Sequence, residues 1–293
     1  MNRLVRRLVL GIFAVFALSY GGMVAWLLAN ETRMVFQPTA YGGREQVPVM
    51  DSLGLDLTPV RIGSAPGVSL AAWVIRADSS GPWLLFCHGN AGNITLTKRQ
   101  RFYRDAARAG FNMLAFDYRG FGSSSDSTPS EAGVYADARA AYRYLSDTLG
   151  VAPDRIVIYG HSLGGGVATE LATTEPAAGL ILEGTFTSVP AVGSERYPFL
   201  PIDALASNRF DNAAKIGRLA MPLLILHARG DGTIPFPHGE RLFAAAPEPK
   251  RLVPLGGDHD SAWEADHDRY MDAFAGFVNQ VVPRPTPTHA SDQ

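Results

Sequence analysis

The sequence predicts an α/β protein: a mostly parallel central sheet with helices on both faces, preceded by one membrane-spanning helix. Three observations carry this. Short, unbroken apolar runs alternate with segments of helical periodicity along most of the 293 residues. The stretch Gly160-His161-Ser162-Leu163-Gly164 lies between one such run and a segment of small residues that reads as a helix. Residues 8–29 carry no charged side chain.

The N-terminal run is 22 residues long and would extend roughly 33 Å as a helix, enough for a hydrocarbon core of about 30 Å. Arg3, Arg6 and Arg7 precede it, and Glu31 and Arg33 follow it. This asymmetry predicts residues 1–7 in the cytoplasm and the main domain on the opposite face, periplasmic in a bacterium. A cleaved signal peptide is the competing reading, with secretion as its outcome. The run is long for that, and Ala17-Leu18-Ser19 is a poor cleavage triplet that would leave further apolar sequence behind. A buried core helix is the third option. Residues 30–54 then form a linker, turn-rich from Gln37 to Gly54.

The domain is expected over 55–282. Thr58–Ile62 and Val68–Ile75 read as a hairpin. The runs Trp83–Cys87, Asn112–Phe116, Ile156–Tyr159, Leu180–Leu182, Leu223–Leu226 and Arg251–Leu255 have the pattern of parallel strands buried on both faces. Between them, Thr128–Leu149 reads as a helix, with Thr128 as cap, Pro129 in its first position, Glu131 as the acid of a capping box and Gly150 as its stop. A last helix is expected over Trp263–Val282. The tail 283–293, with three prolines, is expected to be disordered. Strands alternating with helices give a sheet whose ligands bind beyond the carboxyl ends of the strands.

Composition sets outer limits. With 46% hydrophobic and 18% charged residues, the chain can bury a sizeable core, as one large domain or two small ones. A net charge of −2 carries no general attraction to nucleic acid. The lone Cys87 excludes an internal disulfide and multi-cysteine metal sites, and reads as a small core residue. No phosphate-binding G-x-x-x-x-G-K-[ST] or zinc-binding HExxH is present, and Gly120-Phe121-Gly122 lacks the third glycine of a dinucleotide fingerprint.

G-x-S-x-G between a strand and a helix is the setting in which a serine sits on a sharp turn with its hydroxyl exposed. A serine hydroxyl is a weak nucleophile and needs a histidine to take its proton and a carboxylate to orient that histidine. Downstream of Ser162, Asp231 lies just after the run Leu223–Leu226, and His259 just after Arg251–Leu255. Alone, Asp231 reads as a turn residue in Gly-Asp-Gly, and His259 as a solvated histidine between Asp258 and Asp260. Their order and their positions at consecutive strand ends select them jointly. The rivals fit less well. Asp258 adjoins His259 in sequence, Asp203 and Asp211 follow no strand, and His227 reads as core. His238 and His267 read as helix-surface positions, and His161 as a packing neighbour of the serine.

Stabilising a developing alkoxide takes two main-chain N–H groups. Leu163, after the serine, is one candidate, and Asn90, in the loop His88-Gly-Asn-Ala-Gly-Asn93, is the other. An ordinary strand-to-helix turn with Asn93 as helix cap is compatible with the same residues.

Together, His88-Gly-Asn-Ala-Gly-Asn93, Asp117-Tyr-Arg-Gly-Phe-Gly-Ser123, Gly160-His-Ser-Leu-Gly-Gly165, Asp231 in Arg-Gly-Asp-Gly-Thr-Ile-Pro, and His259 resemble the α/β-hydrolase superfamily over roughly residues 55–282. With the N-terminal run, the chain is similar to its membrane-anchored lipase and thioesterase group. The resemblance implies a serine hydrolase without a cofactor or metal and the triad Ser162, Asp231 and His259; Asp117 and Arg119 match the family pattern too, but read as structural pins of a loop. The acid loop departs from the usual His-Gly, reading His227-Ala228-Arg229-Gly230-Asp231, which leaves the carboxylate in place but loosens the expected loop shape.

The expected substrate is a small acyl ester, thioester or lipid. A serine peptidase or amidase on the same triad is the alternative, and a non-catalytic binding protein on the same scaffold a more distant one. The irregular segment 186–210 is rich in Pro, Tyr, Phe and Leu. Both an apolar cap over the site and a loop folded on its own hydrophobic residues fit that composition.

Overall fold

The computed structural model describes residues 2–39 and 54–283; residues 40–53 of the expected linker and 284–293 of the expected tail lie outside them. Helix α1 (Arg3–Val35) opens the chain and is followed by the two-residue strand β1 (Gln37–Pro38). The sheet strands are β2 (Asp56–Ala65), β3 (Val68–Arg76), β4 (Trp83–Cys87), β6 (Asn112–Phe116), β7 (Ile156–His161), β8 (Gly179–Glu183), β9 (Leu223–Ala228) and β10 (Lys250–Leu255). The short β5 (Ala91–Gly92) pairs in parallel with β1.

The eight strands run in the order β10-β9-β8-β7-β4-β6-β3-β2. From β6 to β10 every pairing is parallel, and β3 and β2 close the other edge antiparallel. The parallel strands carry Val, Ile and Leu without alternation because both their faces are covered; β6, β8 and β9 are buried at every position. One face packs α3 (Glu131–Arg143) and α4 (Leu163–Ala172) through Val134, Ala138, Val167 and Leu171. The other packs α2 (Thr97–Arg108) and the last long helix through Phe102, Tyr103, Phe274 and Phe277. Cys87 is fully buried, and desolvation pushes its thiol pKa up, so it behaves as core.

After β8 come α5 (Val189–Arg196), α6 (Ile202–Leu205) and α7 (Asn212–Ile216), then α8 (Pro237–Ala245) after β9. Two helices start differently from the sequence reading. Ser130, not Thr128, caps α3, accepting from the Gly133 N–H at 3.2 Å. Glu131 instead binds the Arg209 N–H and the Tyr135 hydroxyl, tying α3 to the segment after β8. The last helix is broken into α9 (Ala262–Ala265) and α10 (His267–Val281), with the Asp266 carboxylate accepting from the Gly256 N–H at 3.1 Å.

Helix α1 is long and apolar enough to cross a membrane, and none of its residues is buried. It continues on both sides of the charge-free run, reaching about 50 Å.

Candidate active site

The sheet register brings the sequence motifs to one edge. Cys87 at the end of β4 is level with Gly160 on β7, His161 with Glu183 at the end of β8, and Ala228 on β9 with Leu255 on β10. The loops leaving β4, β7, β9 and β10 therefore emerge side by side.

Ser162 stands between β7 and α4 with φ +54° and ψ −120°, a left-handed conformation costly for a residue with a side chain. The surroundings hold it there: its N–H donates to the Glu183 carbonyl at 2.9 Å, and its carbonyl accepts from the Thr185 hydroxyl at 2.8 Å. Gly164 allows α4 to start this close to β4, since a Cβ there would lie 2.0 Å from the Cys87 carbonyl oxygen. Gly89 does the same for the loop after β4, where a Cβ would approach the Ser162 Cβ to 3.3 Å.

His259 bridges the other two residues. Its Nε2 is 2.9 Å from the Ser162 Oγ, and its Nδ1–H donates to the Asp231 Oδ2 at 2.7 Å. The Asp231 side chain is 1% exposed, and the His259 side chain 11%. Asp231 is fixed independently of the histidine: its Oδ1 accepts from the N–H groups of Thr233 and Ile234 at 2.9 and 2.7 Å. Burial alone would raise its pKa, but hydrogen bonds from His227, His259 and the Ile234 N–H outweigh burial and hold the carboxyl well below the usual range. The His227 Nε2–H donates to the Ile234 carbonyl at 2.9 Å, bracing the same turn.

The rival residues are occupied elsewhere. Asp258 accepts from the N–H groups of Asp260 and Ser261 and pins the His259 loop. Asp211 caps α7, and Asp203 pairs with Arg209. His267 is a surface residue, but His238 corrects the sequence reading: it is fully buried, accepting at Nδ1 from the Thr187 N–H and donating from Nε2 to Glu195. The His161 ring lies 5.4 Å from that of His259, and desolvation together with His259 lowers its pKa to about 3, so it stays neutral. Asn93 makes a local turn, its Oδ1 accepting from the Thr95 N–H, and α2 has no side-chain cap. Asp117 and Arg119 are structural: Asp117 accepts from the Ile94 N–H, and Arg119 grips the buried Asp137 at 2.7 Å.

Asn90, Ser162 and Leu163 line one cavity of about 290 Å³, at the lower edge of the roughly 300–1,000 Å³ typical of small-molecule sites. Leu163 is the first residue of α4, so its N–H points out of the helix N-terminus, where negative charge is favoured. The segment 186–210 packs partly on itself and partly along this cavity. Leu200 and Ile202 are buried, while Val192 and Tyr197 join Ile202 along the cavity. Sequence reasoning missed the far wall, which is built by the last turns of α1. It also missed Glu183, buried beneath the serine turn and holding the hydroxyls of Tyr159 and Tyr270.

A mostly parallel sheet with helices on both faces and a polar cluster at its carboxyl edge is an α/β framework with its site where such sheets bind ligands. The chain belongs to the α/β-hydrolase superfamily: the alpha/beta hydrolase fold family matches residues 82–214. An uncharacterised protein of Mycobacterium tuberculosis is 34% identical over 276 residues, 93% of this chain and 96% of that one. The lysophosphatidylserine lipase ABHD12 of Danio rerio is 35% identical over 201 residues, 62% of this chain and 52% of ABHD12, so the match spans about half of that lipase. Among solved structures, an esterase of Pyrococcus furiosus superposes with a TM-score of 0.69 at 18% identity, over 85% of this chain and 98% of the esterase, a likeness of fold.

Proposed function

We propose that this protein is a serine hydrolase that cleaves carboxylic ester or thioester bonds of acyl or lipid-like substrates through an acyl-enzyme. The observation carrying this is the His259 ring, held between the Ser162 hydroxyl at 2.9 Å and the Asp231 carboxylate at 2.7 Å. In the reaction, Ser162 Oγ attacks the acyl carbonyl while His259 Nε2 takes its proton. The N–H groups of Leu163 and Asn90 receive the oxyanion. The tetrahedral intermediate collapses as His259 gives the proton to the departing alcohol or thiol. Water, deprotonated by the same nitrogen, then releases the acid. Asp231 keeps the Nδ1 proton on His259 throughout.

A fluorophosphonate probe and p-nitrophenyl esters test the assignment. Ser162→Ala is expected to abolish both labelling and turnover; an undiminished rate refutes it. A peptide anilide assayed in parallel separates amidase from esterase activity.

The long apolar α1 supports a membrane-tethered enzyme, and Arg3, Arg6 and Arg7 ahead of its charge-free run support an N-terminus in the cytoplasm. Protease added outside intact cells, with any outer membrane permeabilised, is expected to digest the domain. A protected domain overturns this orientation.

A further inference from the structure

Helix α1 does not simply lead to the domain. From Arg3 to Ser19 its residues are all exposed, but from Tyr20 onward a stripe at Tyr20, Val24, Leu27, Glu31 and Val35 is partly covered. Spacings of four, three, four and four place these on one helix face. Two clamps hold that face to the domain. At one, the Glu31 carboxylate accepts from the N–H groups of Ser207 and Asn208 at 2.9 and 2.7 Å and from the Ser207 hydroxyl at 2.7 Å. At the other, three turns or about 16 Å nearer the N-terminus, the Tyr20 hydroxyl donates to the Phe199 carbonyl at 3.0 Å. Between the clamps, Leu27 and Leu28 line the cavity that contains Ser162.

The apolar wall continues outward. Phe16, Leu18, Met23 and Trp26 are exposed on the same helix, and the Phe199 side chain beside Tyr20 is 61% exposed. With α1 inserted in a membrane as proposed above, these side chains would face hydrocarbon. An acyl chain could therefore pass from the leaflet along α1 to Ser162 without crossing water.

We infer that the membrane helix completes the acyl-binding site, with the substrate's acyl chain lying against Leu27 and Leu28 and its carbonyl at Ser162. This rests on the serine-hydrolase reading above and adds to it which residues set chain-length preference. The helix that tethers the enzyme is also part of its substrate pocket.

The test uses the full chain in mixed micelles, with p-nitrophenyl acetate and p-nitrophenyl decanoate as probes. Leu27→Trp and Leu28→Trp fill the space beside the chain. Each should lower kcat/KM for decanoate by about tenfold or more, in line with the roughly 10–200-fold discrimination of apolar pockets, and leave acetate within about twofold. Leu10→Trp, on the exposed N-terminal part of the helix and outside that wall, should change neither. Leu27→Ala, which cannot crowd the fold, should shift preference towards longer chains. Unchanged decanoate kinetics in both Trp variants, with acetate turnover intact, overturn the inference, as does an equal fall on both esters together with an unshifted preference in Leu27→Ala. A wild-type protein that neither labels at Ser162 nor hydrolyses acetate instead overturns the serine-hydrolase reading, and this inference with it.

Discussion

Replacing Asp231 with asparagine changes one atom and should disable the proposed mechanism through the position of a single proton. The Asp231 Oδ1 is held by two backbone N–H groups, from Thr233 and Ile234. An asparagine must keep its carbonyl oxygen on that side, because an NH2 group there would face two donors. Its NH2 then points at His259 Nδ1, which faces Oδ2 at 2.7 Å in the wild type. Nδ1 must become an acceptor, and the ring proton moves to Nε2, 2.9 Å from the Ser162 Oγ. In that tautomer the histidine cannot take the serine's proton. Where a triad aspartate is replaced this way, geometry survives and kcat falls about 10⁴-fold, equivalent to about 5.4 kcal/mol of transition-state stabilisation. The same loss is expected here with KM nearly unchanged, read from steady-state hydrolysis of a p-nitrophenyl ester on a folded, membrane-inserted sample. A kcat within tenfold of the wild type would refute the proton-placement argument.

Two further expectations concern the scaffold. Gly164→Ala drives a Cβ to 2.0 Å from the Cys87 carbonyl oxygen; backbone cannot yield as a side chain does, so a loss of about 2–3 kcal/mol and a Tm drop of about 5–10 °C are expected. Gly276→Ala within α10 meets nothing within 4 Å and should raise stability by about 0.5–1 kcal/mol. Calorimetry on the pair checks both, and a neutral Gly164→Ala would contradict the close approach of α4 and β4. Glu183 supplies a pH test. Burial raises its pKa, against the hydroxyl bonds from Tyr159 and Tyr270. The folded state therefore holds a proton that the unfolded chain releases near pH 4.3, and this group's contribution to stability is lost as pH rises through the raised folded value. Tm of the wild type should fall relative to Glu183→Gln on going from about pH 4 to pH 7; parallel curves would show that Glu183 ionises freely.

The strands were legible because a parallel sheet buries both faces of each strand, leaving runs such as Leu223–Leu226 with nothing to alternate against. The positions of Asp231 and His259 followed from the same logic, since polar residues directly after such runs must sit at the carboxyl edge. Contacts between distant segments were less legible. Glu131 looks like a capping residue within its own turn, yet it bonds the Arg209 N–H, 78 positions away. His238 has the spacing of a surface residue on α8, but Thr187 and Glu195 close over it. The cavity wall from α1 was hidden for a related reason. A uniformly apolar run announces a membrane and conceals which face meets protein, and the polar residues that dock it, Glu31 above all, read as the flank of a span.

His259 hangs from β10, and among the described residues β10 is the outermost strand at its end of the sheet, paired on one side by β9 alone. Ser162 rises from the middle, between fully supported neighbours. The proposed proton acceptor and the proposed nucleophile thus stand on ground of unequal firmness. Opening confined to the β10 margin would carry the imidazole away from an otherwise intact serine turn. On mild heating or in low denaturant, hydrolysis should therefore fail before circular dichroism records any loss of the fold, and return when the margin closes.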